Sequence, residues 1–366
     1  MPTLYTAITN HGFGHATRTA AVLAELQKRS SDIKLIIATK APRWLLEEYI
    51  EGEFIYHPRV FDVGVIQADS LQVDREATFE TWQQIYATQA DVIASEVKFL
   101  HENQVDLIFG DIPPMIALIA KAAQIPCWMA GNFGWDFIYR DWGGKYIELA
   151  DQMSEAYSHC DRLFRLPFAE SMSAFPNREN VGLTGAKPKY SAEYIREKFN
   201  LDSDRPTAML TFGGLSLESI PYQNLAKFPD WQFVTFDRDA PDLPNLTRAN
   251  CDRLRPVDLM VVCDRLITKP GYGTLAEALR VGIPVVCLTR EGFLEAETLI
   301  AGVKNYADHL IISPQEFYGG DWSFLNAPFQ APDLAEAKQL DMHGEETINQ
   351  AIVDYFGQAI AYPNLK

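Results

Sequence analysis

From end to end, short runs of apolar residues alternate with segments whose apolar positions recur every three or four residues. This alternation is the signature of parallel α/β layers, in which buried strands are joined by amphipathic helices. In the first half it predicts strands over Thr3–Thr9, Ile33–Thr39, Val105–Gly110, Cys127–Ala130 and Arg162–Leu166. Helices are predicted over Thr17–Lys28, Ala77–Glu102 and Ile112–Ala123. In the helix from Thr17, the residues Ala20, Leu23 and Leu26, with Val22 less regularly, make an i, i+3, i+4 face. Pro113 and Pro114 fit a first helical turn, where a missing N–H costs nothing. A polar stretch from Ala169 to Lys189, rich in Ser, Asn, Gly and Pro, reads as a linker. The alternation then restarts with strands over Thr207–Phe212, Trp231–Phe236, Arg265–Thr268, Val285–Leu288 and His309–Ile312, and helices over Leu275–Val281 and Ala296–Val303. An amphipathic helix from Glu345 to Ile360 closes the chain.

The 366 residues exceed one comfortable core, about twofold at ~150 residues per domain. The pattern divides them into a first domain over 1–168, a linker over 169–189, a second domain over 190–343 and a terminal helix over 344–366. With 32 Lys and Arg against 49 Asp and Glu, the net charge of −17 argues against tracking nucleic acid or adhering to anionic lipid. It leaves open one phosphate-bearing small molecule, held through backbone amides. No run approaches the ~20 apolar residues of a membrane helix; Met115–Ala123 is interrupted by Lys121. Pro2–Thr9 lacks the basic flank and cleavage site of a signal peptide. Cys127, Cys160, Cys251, Cys263 and Cys287 are odd in number and include no CxxC, so they read as buried thiols of a cytoplasmic protein.

Tandem doubly wound domains bind ligands in the loops after their strands, and four such loops stand out. The first is Thr9-Asn10-His11-Gly12-Phe13-Gly14-His15-Ala16-Thr17-Arg18. Its glycines let backbone approach a ligand at a helix N-terminus, but no third glycine follows to complete a dinucleotide fingerprint, and the segment runs on to Arg18. His15, with His11 four residues earlier, offers an imidazole that is neutral near pH 7, as a general base must be. A plain polar cap is the competing reading. The second loop follows Phe109-Gly110-Asp111: Asp111 either caps the next helix or holds the tautomer of His15. In the third, Phe212-Gly213-Gly214-Leu215-Ser216 is either a tight turn or a nest of N–H groups for phosphate.

The fourth loop, Thr268-Lys269-Pro270-Gly271-Tyr272-Gly273-Thr274, runs into Leu275-Ala276-Glu277-Ala278-Leu279. Here backbone N–H groups, the Thr274 hydroxyl, the Lys269 cation and a helix dipole would converge on one diphosphate. Thr274 is predicted to cap that helix, and Glu277, a turn further on, could take both hydroxyls of a ribose. Asp237-Arg238-Asp239 imitates a DxD metal motif but reads as incidental in so acidic a chain. Arg290, Glu291 and Glu295 follow another strand and either meet donor-sugar hydroxyls or form a solvated charged loop.

The pairing of GHATR with TKPGYGTLAEAL and GIPVV resembles GT-B nucleotide-sugar glycosyltransferases. More narrowly, the chain resembles the glycosyltransferase-like N-terminal region of plant L-arabinokinases and its free-standing bacterial relatives. The matching segments are His11–Arg18, Val63–Arg75, Asp106–Pro114, Asn132–Tyr139, Tyr157–Pro167, Phe212–Gly214 and Ile267–Leu279. The galactokinase-type half is absent from this sequence, so arabinokinase activity is not implied.

The resemblance implies an α/β GT-B fold: two Rossmann-like domains facing a cleft, with the C-terminal helix returning to the first. It implies an acceptor on the first domain, near His11, Gly12, Phe13, Gly14, Arg18 and Asp136, and a UDP-sugar donor on the second. His15 falls at the family's base position and Asp111 at that of its partner. Lys269 replaces the usual histidine before the glycines, Thr274 and Glu277 take the phosphate and ribose positions, and Leu254 stands where backbone reads the base. Gly213, Gly214, Gly271, Tyr272, Gly273 and Glu295 complete the expected donor side. The usual Asp-Gln pair after Val285–Leu288 is missing. The expected activity is metal-independent, inverting transfer with no cofactor. A sugar-nucleotide-binding module without turnover and a non-hydrolysing epimerase are the alternatives.

Overall fold

The computed structural model describes residues 1–67, 73–213, 220–249, 253–333 and 340–361. The chain forms two compact units: Met1–Ile66 with Asp74–Gly185 and the chain from Asp341, and Gln67–Val73 with Ala186–Leu340.

The first unit carries β1 (Thr3–Ile8), α1 (Gly14–Arg29), β2 (Lys34–Ala38), α2 (Arg43–Glu47), β3 (Ile55–His57), α3 (Arg75–Ala87) and α4 (Gln89–Glu102). It continues with β4 (Leu107–Asp111), α5 (Pro114–Ala123), β5 (Cys127–Gly131), α6 (Trp135–Trp142), α7 (Tyr146–Tyr157), β6 (Arg162–Arg165) and β7 (Arg178–Asn180). Every residue of β1, β4 and β5 is buried, as expected of parallel strands covered by helices on both faces. The seven strands lie in the order β3-β2-β1-β4-β5-β6-β7. The order reverses between β1 and β4, and Ile8 pairs with Asp111, so the two strands end level at the switch point.

The second unit carries α8 (Ala192–Phe199), β8 (Thr207–Thr211), β9 (Gln232–Thr235), β10 (Leu246–Arg248), α9 (Pro256–Met260), β11 (Arg265–Thr268) and α10 (Tyr272–Val281). β12 (Val285–Leu288), α11 (Glu295–Tyr306), β13 (His309–Ile312) and α12 (Pro314–Gly319) follow. Its parallel sheet runs β10-β9-β8-β11-β12-β13, and its switch point lies where Thr211 pairs with Thr268. Phe212, Phe233, Phe317 and Trp322 anchor the core on one face of this sheet.

The terminal helix α13 (Gly344–Ala361) packs on the first unit. It buries Ile348, Ile352 and Phe356, and Asn349 donates to the Val22 carbonyl of α1 at 3.0 Å. No helix among the described residues is long and apolar enough to cross a membrane.

Several expected boundaries move. The single helix expected over Ala77–Glu102 is two, α3 and α4, broken at Thr88 (φ −106°, ψ 4°). The Thr88 hydroxyl donates to the Ile85 carbonyl at 3.2 Å, a local bond of the kind that competes with helix continuation. α1 starts at Gly14 rather than Thr17, and α10 at Tyr272 rather than Leu275. α10 is capped by Gly271, so Thr274 lies in its first turn and is not the cap. The stretch read as linker contains β7, an edge strand that pairs with β6. Three polar residues, Arg178-Glu179-Asn180, carry no hydrophobic pattern to announce it.

Candidate active site

Gly12 (φ +65°) turns the chain out of β1 in the left-handed region, which only glycine enters without strain. A Cβ there would meet open space, so conformation rather than crowding favours glycine. The turn lets α1 begin at Gly14, and His15 stands in its first turn, 7% exposed. Across the switch point, β4 delivers Asp111, 2% exposed. Ile112 follows with φ +55°, a strained conformation for a β-branched residue. The Tyr157 hydroxyl donates to its carbonyl at 2.7 Å, and its side chain fills the space where a Cβ on Gly131 would fall. The backbone therefore turns away directly after Asp111, and α5 is capped by Pro113 without a side-chain bond. The helix-cap reading of Asp111 fails.

Its carboxylate instead gathers four side-chain donors. His15 Nδ1 lies 2.8 Å from Oδ1, and Arg18 Nη2 donates to the same oxygen at 2.6 Å. Arg18 Nε and the Thr19 hydroxyl each donate to Oδ2 at 2.7 Å. Burial would raise the Asp111 carboxyl, but the Arg18 guanidinium and then His15 more than offset it and hold the group well below the usual carboxylate range. Arg18 is 4% exposed and also donates to Asn132 Oδ1 at 2.7 Å. Its cation is thus turned into the protein, toward Asp111 and Asn132.

His11 is held differently: its Nδ1 donates to the Val65 carbonyl at 3.2 Å, and Trp135 stands 5.3 Å away, edge to face. Phe133 and Trp135 flank His15 at ring-centroid distances of 5.8 and 6.1 Å. Beneath this loop lies Asp62, fully buried, which accepts from the Thr9 hydroxyl at 2.5 Å and the Asn10 amide at 3.2 Å. Burial pushes its carboxyl up. Phe13 meets Trp44 of α2 edge to face, and Trp44 is 47% exposed. Asp136 stays apart from this group. It accepts from Ser154 of α7 at 3.0 Å, and burial pushes it up to about 6.

In the second unit, Gly213, just after β8, stands beside Lys269, just after β11, at the switch point. A Cβ on Gly213 (φ +78°) would lie 3.8 Å from the Lys269 side chain. Gly271, Tyr272, Gly273 and Thr274 form the start of α10, whose first-turn N–H groups carry its positive end. Glu277 is 5% exposed and accepts from the Ala186 amide at 3.3 Å. Burial pushes it up to about 8, with Arg255 pulling down and Asp258 pushing up. Leu254 is 2% exposed, and Glu295 opens α11 at 8%. Gly214, Leu215 and Ser216 lie outside the described residues, as do Cys251 and part of the Val63–Arg75 segment.

Asp237 accepts from the Tyr222 hydroxyl at 2.7 Å and from the Asp239 amide at 2.9 Å, the geometry of a closed turn. Among the described residues no group of three or more His, Cys, Asp or Glu side chains is arranged to hold a metal ion.

Sequence reading passes over Thr19 and Asp62, and takes in Asn132, Phe133 and Trp135 only within the matching segment Asn132–Tyr139, with no role for any of them. None has a local signature, because each acts on a residue distant in the chain.

No family model matches the chain. Over 329 residues it is 30% identical to L-arabinokinase of Arabidopsis thaliana, a match taking in 86% of this chain and 31% of that protein. The chain therefore spans less than a third of the length of the curated relative it matches. The solved glycotransferase of kitacinnamycin superposes with a TM-score of 0.61 at 15% identity, covering 98% of this chain and 99% of that one. UGT89C1 of Arabidopsis thaliana complexed with UDP gives 0.59 at 12% identity, over 96% and 94%. The S. aureus MnaA–UDP co-structure gives 0.61 at 13%, over 98% and 97%. The fold is GT-B. Each unit has its own switch point: the His15–Asp111 pair stands at that of the first, and the Lys269–Thr274 loop follows β11 at that of the second.

Proposed function

We propose that this GT-B chain is a metal-independent, inverting glycosyltransferase that moves a sugar from a UDP-sugar to an acceptor hydroxyl. The observation that carries the reading is the buried His15–Asp111 pair at 2.8 Å, standing where β1 and β4 end. An ionised carboxylate only accepts hydrogen bonds, so it holds the proton on Nδ1 and leaves the Nε2 lone pair to act. Nε2 takes the proton of the acceptor hydroxyl as its oxygen attacks the anomeric carbon. The bond from that carbon to the diphosphate oxygen breaks on the opposite face, and its electron pair leaves with UDP.

Lys269, the Thr274 hydroxyl and the first N–H groups of α10 are suited to the charge that grows on the diphosphate, the larger catalytic term in many transfers. Glu277 would take the ribose, the backbone at Leu254 the base, and Glu295 a sugar hydroxyl. His15 is favoured over His11 as base because its partner is a carboxylate, whereas His11 is tied to a carbonyl.

A second reading draws on the L-arabinokinase match, which covers under a third of that protein: a nucleotide-sugar-binding module without turnover. One experiment separates them. The protein is incubated with a panel of UDP-sugars, with and without hydroxyl acceptors and in the presence of chelator, and UDP release is measured. Acceptor-dependent release supports transfer. Saturable UDP-sugar binding with no release from any donor supports the module. Release that requires added Mn²⁺ or Mg²⁺ refutes metal independence.

A further inference from the structure

We infer that Arg18 is a positioning residue that keeps Asp111 ionised and aimed at His15, and thereby selects the imidazole tautomer whose Nε2 can accept a proton. The inference deepens the transfer reading and takes its functional meaning from it, but the tautomer is a property of the free protein.

A carboxyl on the last residue of a buried strand has two alternatives to pairing with His15. It can swing about χ2, whose preference is broad, or it can take up a proton, as burial favours. Arg18 closes both routes. Its fork binds Asp111 at both oxygens, Nε to Oδ2 at 2.7 Å and Nη2 to Oδ1 at 2.6 Å, and its remaining nitrogen is anchored on Asn132 Oδ1 at 2.7 Å. With Thr19 on Oδ2 and His15 on Oδ1, the four acceptor directions of the carboxylate are filled. Only a guanidinium supplies this planar two-point grip together with a fixed charge.

Arg18 Nη2 also lies 3.0 Å from His15 Nδ1, a possible competing bond in which Nδ1 would accept. The carboxylate decides against it. Nη2 has a second N–H that could reach Nδ1, but a lone pair on Nδ1 would then face the negative Oδ1 at 2.8 Å. With the proton on Nδ1, that N–H and one N–H of Nη2 converge on Oδ1, and no lone pair faces the carboxylate. The remaining neighbours do not set this choice: His11 bonds to Val65, Asp62 bonds to Thr9 and Asn10, and Phe133 and Trp135 present rings.

If Asp111 became neutral, its O–H could donate to Nδ1, and the proton on the ring would move to Nε2. The base would then be blocked with its position unchanged. A residue that merely filled space would not cause this.

The test is ¹⁵N NMR of histidine-labelled full chain, reading the Nδ1 and Nε2 shifts of His15, assigned by its loss in His15→Gln. The wild type is expected to hold the Nδ1–H tautomer over Nε2–H by at least ~10:1. Arg18→Met should bring that ratio to parity or invert it, and Arg18→Lys, which keeps a cation, should restore much of it. Once a donor and acceptor are known, Arg18→Met should lower kcat with little change in KM for the donor. An unchanged tautomer ratio in folded Arg18→Met overturns the inference. Should that variant not fold, the wild type still decides, because a dominant Nε2–H tautomer overturns it equally. A failure of UDP release with the predicted tautomer intact counts against the transfer reading alone.

Discussion

Glu277 makes the second domain's stability depend on pH in a direction opposite to that of most carboxylates. The group lies wholly inside α10's packing, with Ala186 N–H at 3.3 Å and Arg255, Asp258 and Arg280 around it. Burial pushes its carboxyl up to about 8, whereas a glutamate in an unfolded chain titrates near ~4.3. Between those values the folded state binds more protons than the unfolded one, so stability falls as pH rises. The loss approaches ~1.4 kcal/mol per pH unit and flattens once pH passes the folded value, which gives ~2.5 kcal/mol between pH 6 and 9. Glu277→Gln keeps the shape and removes the titration. Urea unfolding of both proteins at pH 6, 7.5 and 9 isolates this term, because every other titrating group cancels in the difference. The wild type should lose ~2.5 kcal/mol relative to the variant over that range; parallel curves would refute the reasoning. If the carboxylate form is the one that holds a ribose, binding must release a proton. Affinity for a UDP-sugar should then rise nearly tenfold per pH unit from 6 toward 8 in the wild type, with no such rise in Glu277→Gln. Wild-type affinity that is flat in this range would remove Glu277 from the ribose as a carboxylate.

Two further predictions concern the first domain. Asp111→Asn leaves the buried Arg18 cation without its counter-charge and should cost ~3–5 kcal/mol in urea unfolding. The depressed carboxyl stabilises the wild type above the ordinary carboxylate range and loses that contribution as pH falls through its folded value, so the wild type's advantage should shrink on acidification. An equally stable variant would show that the four bonds to Asp111 carry no net weight. His15→Ala should bind UDP-sugar as the wild type does while transfer falls by ~10²–10⁴-fold. Normal transfer in His15→Ala together with a dead His11→Ala would move the base to His11.

The alternation of apolar runs with amphipathic segments is local information, and it determined the α/β class and the main strands of both sheets. Strands such as Thr3–Ile8 and Thr207–Thr211 are buried throughout, and their sequences say so. The glycine-bearing loops were legible for the same reason, since a turn into a helix N-terminus needs residues that are neighbours in the chain. Thr88 and the edge strand Arg178–Asn180 escaped, because a hydroxyl bonding back to its own helix and three polar residues pairing at a sheet edge leave the hydrophobic pattern untouched.

What joins residues far apart was left to the tertiary structure. Sequence could name His15 and Asp111 as partners but not the 2.8 Å between them, which exists because β1 and β4 are neighbours across the switch point. Arg18 shows the limit most sharply. On the chain it is a cation beside a ligand loop and reads as an acceptor contact; in the fold it is 4% exposed and spent on Asp111. Whether a charge faces solvent or a buried counter-charge depends on strand order and packing, and no local pattern encodes that choice.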